Sequence, residues 1–286
     1  MKPHYKGVSM ILLSTLFFAL MALSVKAVSH YPLYQIVFFR GAFAVVFYPL
    51  YNTIRKIPLY PNHVRYVFLR ALLGTLGIYS YFFAIGRLSV SNAVILNKLS
   101  PFFVIVFSFL LLGEKIHSHQ TLSILLALAG AVLVIKPVGD FEVIGSLLAV
   151  FSAIFGGVSY VILRYLRDYD KPETIVFVFA LVNLVSTLPF LGIYGFVVPR
   201  SEDMLPLFAV GFSATLAQTF LTYGYRFASA SRISIYSYAD VIITTVASVF
   251  LFNEIPDSIS LIGTGVILLS IYISFYKTGE DLSRSL

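Results

Sequence analysis

The chain has 286 residues, of which 59% are apolar and only 12% charged, and its formal net charge is +7. Soluble domains carry roughly twice that charged share, so there is too little polar surface here to coat a water-soluble particle. The basic residues sit in short stretches between apolar blocks, with no basic helix and no aromatic-basic platform, which argues against a nucleic-acid partner; the absence of cysteine removes disulfides, thiolate metal sites and cysteine nucleophiles.

The apolar blocks run over approximately 7–27, 33–51, 67–86, 90–112, 120–136, 144–164, 174–197, 205–225, 231–252 and 258–276. A helix rises about 1.5 Å per residue, so blocks of about 20 residues are long enough to cross a hydrocarbon core of about 30 Å. Ten in succession predict an all-α membrane protein with ten transmembrane helices. In the first block, Lys2 and Lys6 precede an apolar stretch from Val8 that runs on to Val25 without a small-x-small cleavage site, so it is expected to be a retained span and not a cleaved leader.

The second block carries Arg40 and the third carries Gly74, Gly77, Tyr79 and Tyr81. The two glycines predict close helix packing first and a cavity role second. In the fourth block Asn97 adjoins Lys98, and Pro101 follows. Proline has no N–H, so the carbonyl of Asn97 is expected to lose its helical donor and to need another partner at that depth. In the eighth block Gly211, Thr215, Gln218 or Thr219, and Thr222 recur at helical spacing; in the ninth, Ser237, Asp240, Thr244 and Ser248 do the same, placing them on one face. Tyr223, Tyr225, Tyr236 and Tyr238 add rings with polar tips.

Most basic residues, among them Lys2, Lys6, Arg55, Lys56, Arg65, Arg70, Lys115 and Arg232, fall on the side that holds both termini; Lys26, Arg87, Lys136 and Arg200 fall on the other. The positive-inside rule then puts both termini in the cytoplasm, and the expected location is the inner (cytoplasmic) membrane.

The two halves resemble one another. At a constant offset of 138, Ser14 pairs with Ser152 and Lys26 with Arg164; farther on, Arg87-Leu88-Ser89-Val90-Ser91 matches Arg226-Phe227-Ala228-Ser229-Ala230, and Leu112-Gly113-Glu114 matches Phe252-Asn253-Glu254. Residues 1–137 and 138–286 each hold five spans, and an odd number forces the second repeat to enter from the opposite face. Inverted repeats of this kind are typical of alternating-access carriers, with the solute site where the halves meet.

Three stretches carry a family resemblance: Phe38-Phe39-Arg40; Gly74-Thr75-Leu76-Gly77-Ile78-Tyr79 running into Phe82-Phe83-Ala84-Ile85-Gly86-Arg87-Leu88; and Leu99-Ser100-Pro101-Phe102 running into Leu112-Gly113-Glu114. With the doubled five-span plan, the chain resembles the EamA group of the drug/metabolite transporter superfamily. The resemblance implies transport of metabolites such as amino acids and their derivatives, S-adenosylmethionine or riboflavin. It also implies a central cavity lined mainly by the third, fourth, eighth and ninth spans.

Charges within spans are the sharpest signal, because a charge at mid-bilayer costs about 3 kcal/mol on insertion scales and so faces a wet cavity or a partner. Three qualify: Arg40, Lys98 and Asp240, with Asp240 the one acid well inside a span. Lys98 and Asp240 lie in repeat-related spans and approach the midplane from opposite sides, either to meet a solute or to pair with each other. The substrate-binding candidates are Arg40, Tyr79, Tyr81, Asn97, Lys98, Gln218, Thr222, Tyr238, Asp240 and Thr244, and Asp240 is the coupling candidate. Glu114 and Glu254 read as structural span ends. His117 and His119, in one loop without further ligands, give no metal site.

All five histidines lie in tails or loops, no span holds two acids, and no Gly-rich nucleotide loop occurs, so neither an intramembrane enzyme nor an ATP-driven pump is expected. No cofactor is expected either. The expected partners are a small-molecule solute and the lipid bilayer, with a homodimer as an option. The sequence favours a secondary carrier for an amino acid or an amino-acid-derived zwitterion or carboxylate. The alternatives are an exporter of cationic or aromatic compounds, held by Asp240 and the tyrosines, and a non-transporting receptor or scaffold.

Overall fold

The structure, a computed structural model, describes residues 3–113, 116, 118–135, 142–227 and 234–284. Among the described residues the chain is helical, with no strand. In chain order the helices are α1 (Pro3–Ala27), α2 (Leu33–Arg55), α3 (Val64–Arg87), α4 (Val90–Asn97), α5 (Ser100–Leu112), α6 (Ser118–Ile135), α7 (Glu142–Leu166), α8 (Pro172–Tyr194), α9 (Met204–Phe227), α10 (Ala239–Phe252) and α11 (Ser258–Arg284). Short 3₁₀ turns at Ser201–Asp203 and Ser234–Tyr238 lead into α9 and α10. Lys2, Glu114, Lys115, His117, Lys136 and the stretch 228–233, all used in reading the sequence, lie outside the described residues, as does the Tyr225 side chain.

Eight helical stretches are long and apolar enough to cross a membrane, with α4 and α5 counted together as Val90–Leu111; two shorter apolar helices, Tyr236–Phe252 and Ser258–Ile273, follow. Large apolar side chains stand outward along them, including Val46 at 76% exposed, Leu205 at 75% and Phe250 at 81%. Water does not tolerate so much contiguous apolar surface on a monomer, whereas lipid does. Architecture and surface are those of a multi-pass membrane protein.

The fourth block differs from the single helix expected over 90–112. It breaks at Lys98 and Leu99, and Pro101 sits in the first turn of the new helix α5. There its missing N–H costs little, because the first turn has no intrahelical acceptor for it. The backbone group found with an outside partner is the carbonyl of Lys98, which accepts from the Tyr238 hydroxyl at 3.1 Å. The expectation had named the Asn97 carbonyl. In the described part of the ninth block, the Ser234–Tyr238 3₁₀ turn gives way to α10 in the corresponding place. Both helices then stop alike, at Gly113 (φ 68°) and Asn253 (φ 54°), in the left-handed conformation that closes helices.

Packing follows a reciprocal scheme. α1 lies along α9, and α7 along α3; α2 touches α9, and α8 touches α3; α10 touches α1, and α5 touches α7. The pairs α2·α8 and α6·α11 complete the shell, and α4 meets α10 near the centre. The α6·α11 contact depends on glycine. A Cβ on Gly130 would stand 2.8 Å from the Gly263 carbonyl oxygen, and one on Gly263 would stand 2.7 Å from that of Gly130.

Candidate functional site

The fourth and ninth blocks meet beside a cavity with about 650 Å³ of atom-free space, part of it open to solvent. Lys98 ends α4 and Asp240 begins α10, so the α4·α10 contact brings them together; Lys98 Nζ lies 2.7 Å from Asp240 Oδ2. A carboxylate in the first turn of a helix also lies near the free N–H groups and positive dipole end. Asp240 is 4% exposed, yet its second oxygen, Oδ1, has no hydrogen-bond partner. A buried acceptor left unpaired costs free energy, so this carboxylate has bonding capacity in reserve. Beside it, Asn97 donates from Nδ2 to Ser152 Oγ at 2.8 Å, and the Nε2 of buried Gln218 is unpartnered.

The cavity wall is built chiefly from α3 and α7. α3 supplies Arg70, Gly74, Gly77, Ile78 and Tyr81; α7 supplies Ser152, Gly156, Ser159 and Tyr160; α1, α8, α9 and α10 add Phe18 and Met21, Phe179, Gln218 and Asp240. This departs from the expected lining in one respect. α7, the sixth apolar block, contributes more than the eighth and ninth blocks. The reason is steric: Gly and Ser at 152, 156 and 159 leave open the face that α7 turns inward.

Five of the residues singled out from sequence line this cavity: Tyr81, Asn97, Lys98, Gln218 and Asp240. The other five support it or lie apart. Tyr238 holds the Lys98 carbonyl, and Thr244 and Thr222 return their hydroxyls to the backbone carbonyls of Asp240 and Gln218. The Tyr79 hydroxyl meets Ser186 Oγ at 3.3 Å. Arg40 is 4% exposed and donates from Nη1 to Asn183 Oδ1 at 2.7 Å. Asn183 in turn donates to Thr75 Oγ1 and to the Phe179 carbonyl.

Arg70 is the residue that sequence reading misplaced. From sequence it reads as the cytoplasmic end of the third block, but α3 starts at Val64, and Arg70 is 1% exposed on the cavity wall. Its guanidinium lies over the Phe179 ring, 4.1 Å from the centroid, and that of Arg40 lies over the same ring at 4.7 Å. Gly74 makes room for this arrangement, since a Cβ there would stand 2.7 Å from the ring. A signal was present: Arg70, Gly74, Gly77, Ile78 and Tyr81 share one helical face. Among the described residues no cluster of His, Asp or Glu could hold a metal ion.

The sequence profile described as the EamA-like transporter family matches the chain twice, over residues 5–136 and 143–276. The chain belongs to the EamA-like transporter family. A protein of Helicobacter pylori named only as an uncharacterized transporter is 31% identical over 281 residues, covering 92% of each chain. The pseudopaline exporter CntI of Pseudomonas aeruginosa is 31% identical over 279 residues, covering 95% of this chain and 96% of its own. The S-adenosylmethionine uptake transporter of Rickettsia conorii is 24% identical over 252 residues, covering 88% and 85%. A solved structure with 19% identity superposes with a TM-score of 0.70 over 95% of this chain and 96% of that one, which establishes a shared fold. An EamA-like protein with transporter relatives is a small-molecule transporter of the membrane.

Proposed function

We propose that the chain is a secondary carrier that moves a carboxylate-bearing metabolite, an amino acid or a derivative of one, by alternating access. In this reading it has ten spans in two inverted five-helix repeats, residues 1–137 and 138–286, with both termini in the cytoplasm and the inner membrane as its site. α4 with α5 forms one span, and the Ser234–Tyr238 turn with α10 forms its counterpart. The observation that carries the reading is the Lys98–Asp240 pair, set where the break in the fourth block meets the N-terminal end of α10 at a cavity wall. Carriers built from inverted repeats place solute and coupling ions at such breaks. The reciprocal packing of α1·α9 with α7·α3, and the doubled family match, support the repeat. Relatives named for pseudopaline export and for S-adenosylmethionine uptake support a small organic solute.

Asp240 is the group we assign to coupling. It can exchange a proton between Lys98, its unpaired Oδ1 and the cavity as access alternates. The test is uptake and counterflow in proteoliposomes, using amino acids and their derivatives, with and without an imposed pH gradient. Wild type should respond to the gradient. Asp240→Asn should lose gradient-driven uptake and keep exchange, because exchange need not release the proton. Indifference of the wild type to the gradient removes proton coupling. Loss of both activities in Asp240→Asn makes the carboxylate a direct solute contact. Topology is read separately by single-cysteine labelling, which is clean because the chain has no cysteine. Labelling of a cysteine at position 2 from outside the cell would overturn the inverted arrangement.

A further inference from the structure

The Lys98–Asp240 pair balances its own charge, but two more cations stand beside the cavity. Arg40 and Arg70 are 4% and 1% exposed, and both guanidiniums lie over one ring, that of Phe179. Among the described residues no carboxylate lies within ion-pair distance of either. Their in-plane donors are incompletely used: Nε and Nη1 of Arg70 and Nε of Arg40 are buried without a hydrogen-bond partner. Ring contact engages a guanidinium through its charge and face; it does not satisfy N–H donors that point along the plane. Arginine stays charged in proteins, so neutralisation by proton loss offers no relief.

Two buried, like-charged and under-bonded groups close together are an expensive arrangement unless something else completes them. Arg70 lines the cavity together with Phe179, so the missing partner can reach it from there. A solute with a single carboxylate beside an amine leaves one guanidinium uncompensated. From this we infer that the solute carries two negative charges, on two carboxylates or on one phosphate monoester, with Arg70 as the direct anion contact and Arg40 as the reinforcing charge across Phe179. The fork of N–H donors on a guanidinium matches both kinds of oxyanion. The remaining bonding capacity, Asp240 Oδ1 and Gln218 Nε2, lies on the same cavity wall and suits a polar centre between or beside the anions. This rests on the carrier reading and narrows its solute class; it also makes Arg70, not Lys98, the main determinant of charge selectivity.

The experiment is thermal stability of the purified protein against a shape-matched series of differing charge. Glutarate, 2-oxoglutarate, glutamate and glycerol 3-phosphate are compared with glutaramate, glutamine and glycerol, each at millimolar concentration. Ligands that bind only the folded state raise the melting temperature by mass action. Dianionic members should stabilise the wild type at concentrations at least about tenfold below their neutral or monoanionic counterparts, as one charge-assisted contact implies. Arg70→Gln should abolish that preference. Arg70→Lys keeps the charge without the fork and should retain part of it, which guards against a glutamine variant that merely folds poorly. A carboxylate-only or phosphate-only response identifies the anion and upholds the inference. Equal stabilisation by both columns, a preference that survives Arg70→Gln, or no response to any dianion overturns it. Uptake of any amino acid or derivative in proteoliposomes would then leave the carrier reading standing by itself.

Discussion

Two lysine–carboxylate pairs hold the opposite ends of the contact between α4 and α10, and they have the same length. Lys98 meets Asp240 at 2.7 Å where α4 ends, and Lys26 meets Glu254 at 2.7 Å where α4 begins. Their surroundings differ. Lys26 also donates to the Leu88 carbonyl at 2.7 Å, and Glu254 also accepts from the backbone N–H of Val90 at 2.8 Å. That pair closes four groups on one another and ties the ends of α1 and α10 to the start of α4. The inner pair leaves Asp240 Oδ1 unbonded and faces a cavity. A fully used ion pair is a fastener, and a partly used one at a cavity is a place where something else binds. Glu254, expected from sequence to be structural, is in contact the more saturated of the two acids.

The largest effect should come from breaking the inner pair. Lys98→Ala strands a buried carboxylate and should lower stability by about 3–5 kcal/mol, measured by thermal or denaturant unfolding in detergent. Combining it with Asp240→Asn should recover much of that loss. Gradient-driven uptake should stay at background in the double variant, because the coupling carboxylate is gone. A double variant that regains that uptake with its stability would make the inner pair a fastener like the outer one.

An intermediate effect is expected at the outer pair. Lys26→Ala leaves a less buried acid that still bonds Val90, so the cost should be about 1–3 kcal/mol. The charge swap of Lys26→Glu with Glu254→Lys should recover only part of it, since a lysine cannot accept the Val90 N–H. Transport per folded molecule should persist. Loosening this end should also speed labelling of a cysteine introduced at Ser159, on the cavity wall, from the face that bears Lys26. Abolished transport with normal folding would place the outer pair in the solute path and erase the contrast.

What sequence made legible here, and what it hid, follows from how each feature is encoded. The multi-pass helical character and the helix ends were readable because lipid demands long apolar blocks and because Gly113 and Asn253 adopt a conformation that few residues tolerate. Lys98 and Asp240 were readable because isolated charges in such blocks are costly. Arg70 was not, because three residues separate it from the expected start of the third block, and a basic residue there looks interfacial. Only helical phase reveals that it shares a face with Gly74 and Tyr81. The break at Lys98 was half readable: Pro101 announced a disturbance, but proline disturbs the helix on its N-terminal side, and the tertiary partner that fixes the site of the break, Tyr238, lies in the other half of the chain. Phe179 and Tyr160 carried no signal, being aromatic residues in apolar helices whose roles arise from what packs against them.

The smallest effect should fall on Tyr238, which links the break at Lys98 to the start of α10. Its hydroxyl donates to the Lys98 carbonyl at 3.1 Å, across the contact that brings Lys98 to Asp240. Tyr238→Phe removes that donor and keeps the ring, which is 5% exposed in the core. The direct loss is one hydrogen bond, about 1 kcal/mol, so the variant should fold and insert normally. The carbonyl at the break is then free to seek another partner, and the main chain carrying Lys98 becomes less firmly placed. If the inner pair works by presenting Lys98 and Asp240 to a solute, loose placement should raise the solute concentration needed for half-maximal transport severalfold, with little change in maximal rate. If the pair were only a fastener, stability alone should fall and transport per folded molecule should not move. Measuring both in the same preparation separates these outcomes, and a change in maximal rate without a change in half-saturation would instead mean that the Tyr238–Lys98 bond must break and re-form during the access cycle.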